Sequence, residues 1–189
     1  MTDFLNQADD PAAKREILAA ALRRFTRQGI VGTSIRDIAH DSGFTNPALY
    51  KHFSSKDDLA LRLFQRCYAW MTAELDTALD SADSDEERLD ALLRRYLGML
   101  DEQLDAVLYV NENLQRFWPE VPAELRDRTV VTIVREIVGT GVPGNPQNWV
   151  VAVVGLLSQT ARMMHLGGLE GPAIERLDDF RAIVRGMLG

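Results

Sequence analysis

Cysteine is nearly absent from this 189-residue chain, where Cys67 stands alone. One thiol closes no internal disulfide, which fits a reducing compartment. With nothing beside it to mark a lowered pKa, it reads as helix packing and not redox chemistry. Histidine is scarce too: His40, His52 and His165 lie far apart, and none has a second ligand at i+4. That spacing excludes a His-x-x-x-His zinc pair. No Gly-rich phosphate loop is present, and serines and aspartates fall mostly where caps and turns use them. The chain therefore reads as a non-enzyme with no metal and no cofactor. Long apolar runs are missing as well. The charge-free stretch 137–161 holds two prolines and four glycines, and its apolar run 149–157 is nine residues long. A membrane-spanning helix needs roughly 20. The opening MTDFLNQADDP has neither a basic start nor an apolar middle, so no signal peptide is expected. A frayed segment over about residues 1–8 and a cytoplasmic location are expected instead. Period-two alternation is also lacking, which leaves no sheet to predict.

What is present is charge, unevenly placed. The chain carries a net −7, with 46% apolar and 26% charged residues, as soluble globular proteins do. From Pro11 to Lys56 there are eight basic residues and three acidic ones, a local +5, so the remainder sums to −12. A basic module on an acidic body suits polyanion binding by one end only.

That module centres on TSIRDIAHDSGFTNPALYKHF, residues 33–53. Thr33 is placed to cap a helix in which Ile35, Ile38 and Ala39 share a face. Gly43 falls where a chain leaves a helix through a left-handed residue. Thr45 or Asn46 caps the next helix, and Pro47 sits in its first turn, where a missing N–H costs little. Leu49 and Phe53 point back at the first helix. Two helices joined by a short Gly-containing corner are the plan of a helix-turn-helix DNA reader. The exposed positions of its second helix, Asn46, Ala48, Tyr50, Lys51 and His52, include no acid to repel phosphate.

The pattern Gly32-Thr33-Ser34-Ile35-Arg36-Asp37-Ile38-Ala39, then Ser42-Gly43-Phe44-Thr45, then Ala48-Leu49-Tyr50-Lys51-His52-Phe53-Ser54-Ser55-Lys56-Asp57-Asp58-Leu59, resembles the TetR family of bacterial transcriptional regulators. The likeness runs from about Ala13 to Leu63. The chain departs from the family at Thr45-Asn46-Pro47 and at Phe44. Beyond Leu63 only length and helical character agree.

The rest of the chain reads as helices. Asp10 caps a first helix, with Pro11 in its first position, that runs to Gln28 before Gly29. Arg23, Arg24 and Arg27 near its end suit either the helix dipole or phosphate. A long helix follows Ser55 to about Leu79, and Ser84 with Glu87 makes a capping box for the next. Separate helices are expected at Leu104–Phe117, from Pro122 to Ile137, at Gln147–Leu166 and from Pro172, with a Gly/Pro-rich loop at 139–146. The expectation is an all-α protein of about nine helices. A three-helix helix-turn-helix head would occupy residues 1–54, and a helical bundle for ligand binding and dimerisation residues 55–189.

The resemblance implies a homodimer through the last two helices, a double-stranded DNA operator and a small-molecule effector. It implies most often a repressor of a palindromic operator, released by its inducer through a shift of the fourth helix. Tyr50, Lys51, His52, Thr33 and Lys56 are expected on the DNA backbone. Arg36, Thr45, Asn46, Pro47 and Ala48 are expected in the groove, with Asn46 as the adenine reader. Large side chains for the pocket walls are Trp70, Met99, Tyr109, Phe117, Trp118, Met163 and His165, with Asn113, Gln159 and Arg162 as polar contacts. The competing reading is a helical ligand-binding or protein-interaction module that does not bind DNA.

Overall fold

The structure, a computed structural model, describes residues 3–5, 10–80, 82–138 and 145–188. Among these residues there is no strand. The α-helices are α1 (Ala12–Gly32), α2 (Ile35–Ser42), α3 (Asn46–Tyr50), α4 (Lys56–Leu79), α5 (Asp85–Phe117), α6 (Ala123–Arg126), α7 (Val130–Val138), α8 (Pro146–His165) and α9 (Leu177–Leu188). α6 is a single turn. Short 3-10 segments precede α1 and α9 and follow α5.

The chain forms two compact units. The first is Met1–Trp70 with Asp105–Val121; the second is Met71–Leu104 with Pro122–Gly189. These divisions fall inside α4 and α5. Two helices expected over residues 84–117 are in fact one, α5, in which Gln103 alone leaves helical geometry (φ −148°, ψ 48°). No Gly or Pro interrupts residues 99–117, so the helical register resumes after one residue. The helix expected from Pro122 splits instead into α6 and α7. Thr129 and Thr132 exchange caps there: the Thr132 N–H donates to Thr129 Oγ1 at 2.9 Å and the Thr129 N–H to Thr132 Oγ1 at 2.8 Å.

In the first unit Ile17, Leu18, Leu22, Phe25, Ile38, Leu49, Phe53, Leu63 and Phe64 are buried. Tyr109 from α5 joins this core, with its ring 5.9 Å from Phe25 and its hydroxyl donating to the Ala60 carbonyl at 2.9 Å. Within the segment expected to fray, Asp3–Leu5 form a 3-10 turn. Phe4 stacks on Trp70 at 4.7 Å, and Leu5 is buried. Asp10 does not cap α1; Pro11 holds that place with no side-chain cap. The Asp10 carboxylate instead accepts from Lys14 at 2.7 Å and from Arg66.

In the second unit Leu92, Leu93, Tyr96, Leu97, Leu100, Ile133, Val134, Val153, Leu157, Phe180 and Val184 are buried. α8 packs against α7 and α9. Charged groups tie α9 to the first half of α5. Asp101 accepts from the N–H groups of Ala173 (2.6 Å) and Ile174 (3.0 Å), Arg185 reaches Glu86 at 2.5 Å, and Arg181 bonds Asp90. Of the loop expected at 139–146, residues 139–144 lie outside the described residues, Asn145 caps α8 and Pro146 is its first residue.

Candidate nucleic-acid interface

α2 starts one residue later than the pattern suggests. Ser34, not Thr33, is its cap. The Asp37 N–H donates to Ser34 Oγ at 3.2 Å, and the Ser34 N–H donates to the Asp37 carboxylate at 3.0 Å, a closed capping box. The Ser34 hydroxyl donates to the same carboxylate at 2.6 Å and holds Asp37 below the usual carboxylate range. α2 ends at Gly43 in the left-handed region (φ 74°), as the sequence requires. Its N–H bonds back to the His40 carbonyl at 3.2 Å, and the Phe44 N–H to that of Ala39 at 3.0 Å.

α3 follows with Thr45 at its cap position and Pro47 in its first turn. Leu49 and Phe53 are buried and hold α3 in place, while Ile38 and Ala39 hold α2. What α3 leaves outward is Thr45, Pro47, Tyr50 and Lys51, all exposed, with Asn46, Ala48 and His52 half-buried. Tyr50 is 55% exposed. Arg36 is exposed on α2. These eight side chains share one small module and include no acid.

Two of the ten expected DNA contacts are otherwise engaged. Thr33 is 1% exposed, and its hydroxyl donates to the Gly29 carbonyl at 2.8 Å. Its side chain is not offered to a phosphate. Lys56 donates from Nζ to the carbonyls of Ile30 (2.7 Å) and Thr33 (2.8 Å). Of the three arginines near the end of α1, Arg24 forks onto Asp41 of α2 at 2.5 and 2.9 Å. That bidentate bond, seconded by His40, holds Asp41 well below the usual carboxylate range. Arg23 and Arg27 are exposed.

The ten expected pocket residues are divided between the two units, Trp70, Tyr109, Asn113, Phe117 and Trp118 in the first and Met99, Gln159, Arg162, Met163 and His165 in the second. Trp70 lies under Phe4, Tyr109 is packed on Phe25, Asn113 donates to the Tyr109 carbonyl at 2.9 Å, and Phe117 packs on Phe64 at 5.2 Å. Trp118 sits edge-on to Tyr68, and Met99 is buried in the second unit. Met163 is half-buried, while Gln159, Arg162 and His165 are exposed on α8. The second unit instead carries an open cleft of about 1210 Å³, bordered by Ala78, Ala91, Gly98, Arg94, Arg95, Glu86, Asp90 and Arg181 among others. None of the ten residues borders it. Its charges are paired: Arg95 with Glu74 (2.9 Å) and Glu102 (3.0 Å), Arg94 with Asp90 (3.4 Å). Periodicity marked large side chains as available for walls, but large side chains at helical spacing are also what a bundle core needs.

Among the described residues, several apolar side chains of α8 and α9 stand exposed. On α8, Val151 is 71% exposed and Gly155, Gln159 and Arg162 follow it on the same face, with Leu166, 70% exposed, just past the helix end. On α9, Ala182, Ile183 and Gly186 are exposed. A Cβ placed on Gly155 or Gly186 meets nothing within 4 Å.

A capped α2, a left-handed glycine corner and an outward α3 on a basic module define a helix-turn-helix head of the DNA-reading class. Residues 17–63 match the model of the family described as bacterial regulatory proteins, tetR family, and this match places the head segment in that family. Over 104 residues it is 30% identical to the HTH-type transcriptional repressor KstR2 of Mycolicibacterium smegmatis, covering 54% of this chain and 51% of that protein. Over 114 residues it is 27% identical to the HTH-type transcriptional activator FasR of the same organism, covering 60% and 52%. The chain thus spans about half the length of the curated relatives it matches. Its fold is similar to that of the ketosteroid transcriptional regulator KstR2 of Mycobacterium tuberculosis (TM-score 0.78, 20% identity, 95% of each chain). It is also similar to a tetR-family regulatory protein from Rhodococcus RHA1 (TM-score 0.81, 20% identity, 95% and 98%). Among the described residues no helix is long and apolar enough to cross a membrane.

Proposed function

We propose that this protein is a DNA-binding transcriptional regulator that pairs through α8 and α9, lays α3 against base edges and answers to a small-molecule effector. The observation that carries the reading is the outward face of α3. Leu49 and Phe53 anchor the helix from beneath, and Thr45, Pro47, Tyr50 and Lys51 stand exposed above them. Asn46 is the base reader, since its amide can pair with adenine N6 and N7, and Pro47 and Ala48 can meet a thymine methyl. Tyr50, Lys51 and His52 hold the backbone.

The exposed face of α8 and α9 supports pairing, because apolar helix faces of this kind bury against a partner. Two heads related by a two-fold axis would meet successive major grooves ~34–36 Å apart. The head is residues 1–54, and the remainder supplies pairing and effector response, in a cytoplasmic protein. Repression is favoured over activation because KstR2 is a repressor, although FasR is an activator. α4 runs unbroken from Lys56 to Leu79, and Ala78 near its end borders the cleft. An effector acts only if it binds two arrangements with different affinity.

The test is selection of bound fragments from a random duplex pool by the purified chain. An inverted repeat with one dominant half-site is the expected result. A pool that stays random after repeated rounds would refute the reading.

A further inference from the structure

We infer that Lys56 is a positioning residue for DNA binding, pinning the corner between α1 and α2 through main-chain carbonyls and not holding a phosphate itself. The inference rests on the DNA-binding reading above. α1 is broken at Gly29, whose φ of 72° and ψ of 164° are not helical. A break of this kind leaves carbonyls at the helix end without intrahelical donors. Two side chains supply them. Thr33 Oγ1 donates to the Gly29 carbonyl at 2.8 Å and lies 3.4 Å from that of Arg24. Lys56, which follows Ile30 by 26 residues and Thr33 by 23, donates to both of their carbonyls at 2.7 and 2.8 Å.

Between the two bonded carbonyls the chain runs through Val31 and Gly32. Ile30 and Thr33 are buried while Val31 is 89% exposed. The corner is therefore a knuckle gripped from below on both sides. The next residue, Ser34, opens the capping box that fixes where α2 begins. α2 packs on α1 and α3 packs on α2, so the height of this corner sets where α3 is presented. Electrostatics favours the grip, since a helix carboxyl end carries partial negative charge and attracts a cation. Pulling the ammonium away to a phosphate would strand two carbonyls. Exposed Lys51 on the reading face is the contrasting case.

The experiment measures dissociation constants on the selected duplex across a salt series. It uses the wild type, Lys51→Met, Lys56→Met, Lys56→Arg, Thr33→Val and the Thr33→Val, Lys56→Met double variant, at a temperature where circular dichroism shows all of them folded. Lys51→Met, removing a phosphate contact, should lower the salt slope by about 1. Lys56→Met should weaken binding about tenfold on every sequence and leave the slope at the wild-type value. Lys56→Arg keeps N–H donors for the carbonyls and should restore most of the affinity. Thr33→Val should weaken binding with the slope unchanged, and its effect should be less than additive with that of Lys56→Met.

The inference is overturned if Lys56→Met lowers the slope as Lys51→Met does, or leaves affinity unchanged. If Lys56→Met does not fold, Thr33→Val and Lys56→Arg decide. Unchanged affinity for Thr33→Val, or a Lys56→Arg protein weakened about tenfold or more from the wild type, overturns it. A wild type that shifts no duplex at low salt sinks the DNA-binding reading and this inference with it. Wild-type binding with the wrong Lys56 slope sinks the inference alone.

Discussion

Val151→Asp should convert a pair of chains into single ones. Val151 is 71% exposed within the chain, so most of its apolar surface remains to be buried by a partner. Full burial of a valine side chain stabilises by ~1.5–3 kcal/mol, of which roughly 1–2 remains to be gained at this site. A two-fold axis counts the substitution twice, giving ~2–4 kcal/mol of lost burial. Each new carboxylate must also leave water when the pair forms. That adds several kcal/mol of desolvation per protomer. Even a cautious total of ~4 kcal/mol raises the dissociation constant of the pair about a thousandfold. Sedimentation velocity at micromolar concentration reads the outcome directly. Val31→Asp is the control, because Val31 is more exposed still, at 89%, but sits in the head. The control should stay paired while Val151→Asp runs at single-chain mass. If both remain paired, or if the wild type is itself a single chain, α8 is not the seam.

Further outcomes concern the head and its stability. Asn46→Ala should relax the base preference at one position of each half-site by ~1–3 kcal/mol, read by competition between duplexes that differ at one pair. Ser34→Ala opens the capping box of α2 and should cost ~0.5–2 kcal/mol in urea unfolding. Leu49→Ala should cost ~2–5 kcal/mol, because the side chain that seats α3 is 1% exposed and leaves a cavity. Acid should destabilise the fold through its paired carboxylates. Arg24 holds Asp41, the Ser34 hydroxyl holds Asp37 and Arg181 holds Asp90 below the ordinary range. A depressed folded pKa gives stability that is complete above the unfolded value and drains away below it. Melting temperature should therefore hold near neutrality and fall below about pH 4. A flat profile down to pH 2, or one that Asp41→Asn leaves unaltered, would contradict this.

The corner of the head was legible because its chemistry is local. Gly43 must turn left-handed, Pro47 fits only a first helical turn, and Leu49 and Phe53 recur one turn apart. All three readings hold in the structure. The cap of α2 was misplaced by one residue because Thr33 and Ser34 are equally able to cap, and only burial separates them. The buried Thr33 is bonded to the Gly29 carbonyl and to the Lys56 ammonium, neither of which a capping pattern connects to it. Asp10 was assigned to a cap for a similar reason; its partner Arg66 is 56 residues away in sequence. The two helices expected over residues 84–117 merged because leucine spacing sees no boundary where one residue alone, Gln103, departs from helical angles. The pocket walls were least legible. Aromatic and methionine side chains at helical spacing serve a core as well as a cavity. Tyr109 and Phe117 went to the core, while the cleft of the second unit is bordered largely by paired Arg, Asp and Glu.

The central claim is that a basic head grips duplex DNA while the acidic body does not. Its most direct measurement is the affinity of the intact chain for a selected duplex from 50 to 200 mM salt. A loss of about 10³ or more over that range is expected if six or more phosphates are met by the paired heads. Affinity that does not change with salt, or no duplex bound even at the low end, would contradict it.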